Sequence, residues 1–273
     1  MTERRLDTGT EQLLGSVRAH VATLTFNRPE KRNALGDIVT PALRRMLLEV
    51  DQDPDVRVVV ITGTGQAFCS GGDVSGMGGG SSAASAPHQD KVRALQQKQY
   101  DLTLRLHELS KPTIAALPGA AAGAGMSIAL ACDLRIAAEN AFLVPGFTRI
   151  GLSGDYGASW FLNRLVGPAV AKELFLTGRR LQSDEARALG LFNEVVAFDD
   201  LADRTRALAA QIANGPPIAI GYMKQNIDRA STADLRTCLD WEAERTITCG
   251  RTEDHKEAVS AFLEKRRPIF HGR

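Results

Sequence analysis

Two stretches of small residues in this chain are built to meet negative charge with main-chain N–H groups. From Leu117 to Asp133 the chain reads Leu-Pro-Gly-Ala-Ala-Ala-Gly-Ala-Gly-Met-Ser-Ile-Ala-Leu-Ala-Cys-Asp. Thr113 to Leu117 reads as a short buried strand, and Ala124 to Ala131 as a helix with no breaker, so the small residues mark a strand-to-helix turn. Free N–H groups at such a helix start, backed by the macrodipole, favour an anion or an oxygen that gains charge. A dinucleotide fingerprint is excluded, because Ile128 stands where the third glycine would follow Gly123 and Gly125, and no Walker lysine comes after it. Taken alone, the stretch fits close helix packing through Ala and Gly equally well.

A second stretch separates these two roles. Gln66-Ala67-Phe68-Cys69-Ser70-Gly71-Gly72-Asp73-Val74 directly follows the strand-like run Val56 to Thr62. Together the two motifs resemble the crotonase (enoyl-CoA hydratase/isomerase) superfamily. The resemblance extends to Asn27-Arg28-Pro29-Glu30-Lys31-Arg32-Asn33-Ala34-Leu35 and to Ala261-Phe262-Leu263-Glu264-Lys265-Arg266, and so spans nearly the whole chain. It implies an acyl-CoA thioester as substrate, no metal or redox cofactor, and an oxyanion hole made by one N–H from each turn, here Gly72 and Ala124. Fixed donors suit an enolate oxygen because they are in place before its charge develops.

Hydratases of that superfamily carry two glutamates, and the matching positions here are Ser127 and Phe147. Neither side chain can exchange a proton usefully near neutral pH. The segment Gly151-Leu152-Ser153-Gly154-Asp155-Tyr156-Gly157 instead supplies one acid, Asp155, and resembles the epoxyphenylacetyl-CoA isomerase branch most. Moving a double bond from C3 to C2 needs one base that takes a proton at C2 and returns it at C4. Asp155, in an apolar pocket with Phe147, Ile150 and Trp160, is expected to have a raised pKa and to do this; the alternative role is to cap the helix that begins near Tyr156. Three further readings stay open: a hydratase, a hydrolase or dehalogenase with Asp155 as nucleophile, and a non-catalytic acyl-CoA-binding protein. Ser127 either donates to substrate or satisfies a backbone carbonyl. The resemblance places CoA and acyl recognition on Arg32, Ala34, Ser70, Gly72, Asp73, Val74, Gly123, Ala124, Phe147, Ile150 and Asp155, with Phe262, Lys265 and Arg266 coming from the C-terminal end. Asp73 is expected to orient its turn.

The elements that hold these residues alternate. Residues 1–15 read as a loose arm, Val17 to Phe26 as one strand, and Asp37 as the cap of a helix to about Val50. After Asp73 a Gly/Ser tract reaches Pro87, expected to be a mobile loop that either orders over ligand or plays no part in binding. A helix from Gln89 to Ser110 precedes the Thr113 strand, and another strand, Leu134 to Ala137, follows the Gly-rich helix. Strand and helix alternation implies a layered α/β body. The resemblance makes it a crotonase-like spiral of ββα units over residues 1–200, with residues 201–273 an all-helical oligomerisation domain that packs in homotrimers or paired trimers (hexamers). Helices are expected over 201–213, 216–230, 233–248 and 253–266.

Composition narrows the class further. With 273 residues, 44% of them hydrophobic, the chain can bury a large core. A net charge of +1 from 33 basic and 32 acidic residues gives no bulk field toward nucleic acid or anionic membrane. The 4 cysteines have no metal-binding or CxxC spacing, no leader or membrane span is evident, and a cytoplasmic protein is expected.

Overall fold

The computed structural model describes residues 3–73 and 87–273; Val74 and the Gly/Ser tract, named above as ligand contact and loop, lie outside the described residues. Strands β1 (Arg4–Arg5), β2 (Leu13–Arg18) and β3 (Val21–Phe26) form an antiparallel edge. The arm expected to be loose is therefore tied down by β1 pairing with β2. The single strand expected over Val17 to Phe26 is instead a hairpin. Ala19 and His20 both take positive φ, 49° and 65°, the pattern of a tight primed turn whose twist matches its strands.

Helix α1 (Val39–Gln52) follows, with Leu43, Met46, Leu47 and Val50 fully turned into the core. Its N-cap is Ile38, with no side-chain cap, so Asp37 does not cap it as expected.

From there the chain repeats one unit. It runs β4 (Val58–Gly63), β5 (Ala67–Cys69) and α2 (His88–Gln99), which continues through one π-turn (Tyr100–Leu104) into α3 (Arg105–Glu108). The next unit is β6 (Thr113–Leu117), β7 (Ala120–Ala122) and α4 (Ala124–Ala131), and the third is β8 (Leu134–Ala138), β9 (Phe142–Val144) and α5 (Ala158–Thr177). In each unit the first strand joins one parallel sheet (β4, β6, β8) and the second joins another (β5, β7, β9). That is a spiral of ββα units. Short β10 (Leu181–Gln182), α6 (Ser183–Ala188) and β11 (Glu194–Val196) close the sheet edges.

Beyond residue 200 only helices follow among the described residues: α7 (Leu201–Ala213), α8 (Pro217–Ala230), α9 (Leu235–Cys249) and α10 (Glu253–Leu263). Leu201, Ala209 and Ala213 of α7 cover the outer face of the first sheet against Val58, Ile114 and Ile136. The main core lies on the sheet's other side, against α1 and α4. Among the described residues no helix is long and apolar enough to cross a membrane.

The spiral brings the two small-residue turns into contact. A Cβ placed on Gly125 would lie 2.3 Å from the Cys69 carbonyl oxygen and 2.8 Å from its Sγ, so only glycine lets α4 sit against β5. Gly71, at φ 91°, passes equally close: its Cβ would lie 2.8 Å from the Ala122 oxygen and 3.7 Å from the Ala124 nitrogen.

Candidate active site

Gly72 owes its orientation to Leu35. The Leu35 N–H donates to the Gly71 oxygen at 2.7 Å, and the Asp73 N–H donates to the Leu35 oxygen at 2.9 Å. With both flanking residues tied to Leu35, the Gly72 N–H is turned the other way. The Ala124 N–H is the first of α4, at the helix end where no intrahelical acceptor exists. Among the described residues neither N–H has a loop or turn acceptor. Both residues line one cavity of about 720 Å³.

The first motif holds that geometry from behind. Asn33, 1% exposed, donates from Nδ2 to the carbonyls of Thr64 (3.0 Å) and Ala67 (2.7 Å), and its Oδ1 accepts from the Arg28 N–H at 2.9 Å. Arg28 donates to the Ala34 carbonyl at 2.7 Å and pairs with Asp73 at 3.3 Å, and Lys31 reaches the same carboxylate at 3.1 Å. Asp73 thus locks its turn to the first motif. Asn33 belongs to that motif in the sequence, yet only the fold shows it as the clamp between two loops.

Asp155 enters the same cavity from the loop before α5. Among the described residues its buried Oδ1 has no hydrogen-bond partner, and burial pushes its carboxyl above the usual carboxylate range. It does not cap the helix. Gly157 is the N-cap, and it is the Asp155 main-chain oxygen that accepts from the Ala158 N–H at 3.2 Å. Phe147, 4% exposed, stacks on Phe175 with ring centroids 5.9 Å apart and forms an apolar wall of the cavity, with Ile150 and Leu152 at its exposed side. Trp160 is not part of that wall. Two residues into α5 it has been carried round to a second cavity of about 790 Å³, where it packs edge-on against His107 at 5.2 Å under the Arg164 guanidinium.

Ser127 is fully buried and its hydroxyl lies 3.3 Å from the Gly123 oxygen and 3.2 Å from the Asp155 oxygen. It is occupied by backbone, and it ties the loop carrying the acid to the helix carrying the Ala124 donor. Ser127→Ala is expected to cost about 1 kcal/mol of stability, the scale of one buried hydrogen bond, as read by urea unfolding. A loss of kcat larger than the loss of stability accounts for would mark the tie as aligning Asp155; an unchanged urea midpoint would show it to be idle.

Ser70, Gly72, Asp73, Gly123, Ala124, Phe147, Ile150 and Asp155 therefore share one cavity. Arg32 and Ala34 do not line it; the Arg32 carbonyl accepts from the Ser70 N–H at 3.0 Å, so these two shape the loop from outside. Phe262, 83% exposed on α10, and Lys265 just past it also lie away from the cavity of their own chain. Arg266 is held by Glu257 at 2.6 Å. Among the described residues no histidine lines the cavity. Sequence reasoning passes over Arg44, Lys98 and Gln12, which do line it, because each lies on a stretch that reads as an ordinary solvated face.

Two main-chain N–H groups and one desolvated acid thus share a single cavity on a ββα spiral. The chain belongs to the enoyl-CoA hydratase/isomerase family, the crotonases, whose model matches residues 16–273. It is similar to the 1,2-epoxyphenylacetyl-CoA isomerase of Escherichia coli (strain K12), 38% identical over 96% of this chain and 99% of that protein. It is also similar to the short-chain-enoyl-CoA hydratase of Clostridium acetobutylicum, 36% identical over 90% of this chain and 92% of that one. Among solved structures, an enoyl-CoA hydratase from Bacillus anthracis matches with a TM-score of 0.88 and 32% identity, covering 96% of this chain and all (100%) of that one.

Proposed function

We propose that this protein is an acyl-CoA double-bond isomerase. Asp155 as carboxylate takes a proton from C2 of a 3-enoyl-CoA, and the electron pair moves into the thioester as a dienolate whose oxygen is held by the N–H groups of Gly72 and Ala124. The carboxylic acid so formed returns the proton at C4, giving the 2-enoyl-CoA and restoring the carboxylate. Neither water nor a redox partner is consumed. One observation carries the reading: the buried Oδ1 of Asp155, without a partner among the described residues, shares a cavity with both donors. A raised pKa suits the role, since it makes the carboxylate a stronger base toward the C2 proton than an ordinary aspartate.

Incubating 3-enoyl- and 2-enoyl-CoAs with the enzyme in heavy water and weighing the products tests it. Conversion of the 3-enoyl- to the 2-enoyl-CoA without added water mass is expected, with deuterium entering to the extent that the Asp155 acid exchanges with solvent before it returns its proton. Added water mass as the main product would replace the isomerase with a hydratase, and a trapped aspartyl adduct would replace it with a covalent mechanism. The same reading includes homotrimers or paired trimers that bring a neighbour's Phe262 and Lys265 to the CoA. It is supported by the exposed apolar Ile227, Leu235, Ile247 and Leu263 of the C-terminal helices. Sedimentation at a single-chain mass would remove it.

A further inference from the structure

The cavity has a second polar wall beside Asp155 that the proton transfer does not use. The Tyr156 ring is buried, 8% exposed, and its hydroxyl accepts from Arg44 Nη2 at 3.2 Å, which leaves the phenolic hydrogen available to donate. Its main-chain N–H donates to Gln99 Oε1 at 2.7 Å, and with φ at 51° the backbone is set in one conformation. Arg44 reaches this point from α1, half-buried. Among the described residues it has no carboxylate partner, and its Nε is shut away from solvent without an acceptor. A guanidinium taken part-way out of water is ordinarily matched by an anion or by several acceptors, and this one has a single phenol. Lys98, from α2, borders the same cavity and adds positive charge at its rim.

We infer that this wall receives a hydrogen-bond-accepting oxygen on the acyl group, so that the preferred substrates are acyl-CoA thioesters whose chain carries oxygen beyond the carbons that exchange the proton. The inference rests on the cavity being the acyl-CoA site proposed above. Phe147 and Ile150 contact the hydrocarbon part of the chain, while Arg44 and Tyr156 select its oxygen. Both determine specificity; neither moves a proton in the isomerisation. Arg44 holds the phenol so that its O–H is presented to the ligand, and it offers its own unused donors to the same atom. An alkyl chain placed there would leave both groups facing hydrocarbon, which is where discrimination comes from.

Three 3-enoyl-CoAs of equal chain length test this: plain alkyl, one with a ketone at the far end, and one ending in carboxylate, each with its saturated analogue for calorimetric binding. The wild-type enzyme is expected to favour at least one oxygenated chain over the alkyl chain by about 10- to 100-fold in kcat/KM, the worth of a hydrogen bond to a charged group, with a matching gap in Kd. Arg44→Met should bring that ratio close to one, and Tyr156→Phe should lower it. Arg44→Lys should restore the carboxylate preference better than the ketone preference, because a point charge replaces the planar fork. A gain for both oxygenated chains identifies a neutral acceptor as sufficient, and a gain for carboxylate alone identifies an anion; either supports the inference. Equal kcat/KM and Kd for all three chains in the wild type would overturn it, as would an Arg44→Met enzyme that loses activity on every chain by the same factor. A binding preference without turnover of any 3-enoyl-CoA would leave this inference standing and remove the isomerase reading.

Discussion

Asp155→Asn is expected to lower kcat for 3-enoyl-CoA isomerisation by about 10³-fold, within the range a positioned acid–base group contributes. The substitution is close to isosteric, and the wild-type side chain neither caps α5 nor pairs with any group among the described residues at its buried Oδ1. What it removes is the site that accepts and returns the proton, so KM for a 3-enoyl-CoA should change far less than kcat. Its effect on stability should run the opposite way. Because burial raises the folded-state pKa, there is a pH window in which the unfolded chain has released this proton and the folded chain still holds it. Native stability falls as pH rises through that window, from the ordinary aspartate value up to the folded one, and the cost of the buried charge is complete above it. A neutral amide avoids the cost. The variant should therefore unfold at higher urea than wild type near neutral pH, with the gap closing as the pH is lowered through the window. Wild-type kcat/KM should rise with pH about a midpoint above the usual carboxylate range, since the free enzyme needs the base ionised. Full turnover in the amide variant would leave the fold without its catalyst.

How much of this is legible in the sequence depends on how local each signal is. Thr113–Leu117, Ala124–Ala131 and Leu201–Ala213 can be read at their observed bounds, because glycine, proline or an abrupt change of periodicity punctuates each one. The hairpin at Ala19–His20 escapes such a reading for the converse reason: its turn uses residues that rarely take positive φ, and the apolar alternation continues through it. Asp155 and the two turns are visible since a run of small residues packs little side chain of its own, and a lone acid among glycines has no ion-pair partner nearby in sequence. Trp160 is misplaced when nearness in sequence is taken for nearness in space, and the first turn of α5 carries it to the far side. Arg44 leaves no mark. On α1 it is one arginine on the polar side of an amphipathic helix, and only the approach of Tyr156, from a loop distant in sequence, turns it into a cavity wall.

Ala124→Pro is expected to reduce kcat/KM by about 10²- to 10³-fold, the loss seen when one oxyanion donor is deleted, with little change in folding. The reason lies in where Ala124 sits. It is the first residue of α4, the one helical position where proline is favoured, because the N–H it lacks has no partner in the helix in any case. The preceding residue must accept the proline ring. Gly123 lies at φ 50° and ψ −124°, the mirror image of the extended region that residues before proline adopt, which glycine reaches freely. The substitution therefore removes the donor and puts ring carbon where the thioester oxygen would rest, while α4 keeps its start. Ala124→Gly is the control: it retains the N–H, and should turn over near the wild-type rate at a cost of about 0.5–1 kcal/mol in stability. If both variants fold and both keep full activity, the oxygen is held somewhere other than between the two turns. If only the proline variant fails, combining it with Asp155→Asn should cost less than the product of the separate losses. A proton transfer that has already lost its base can lose little more from an enolate that no longer forms.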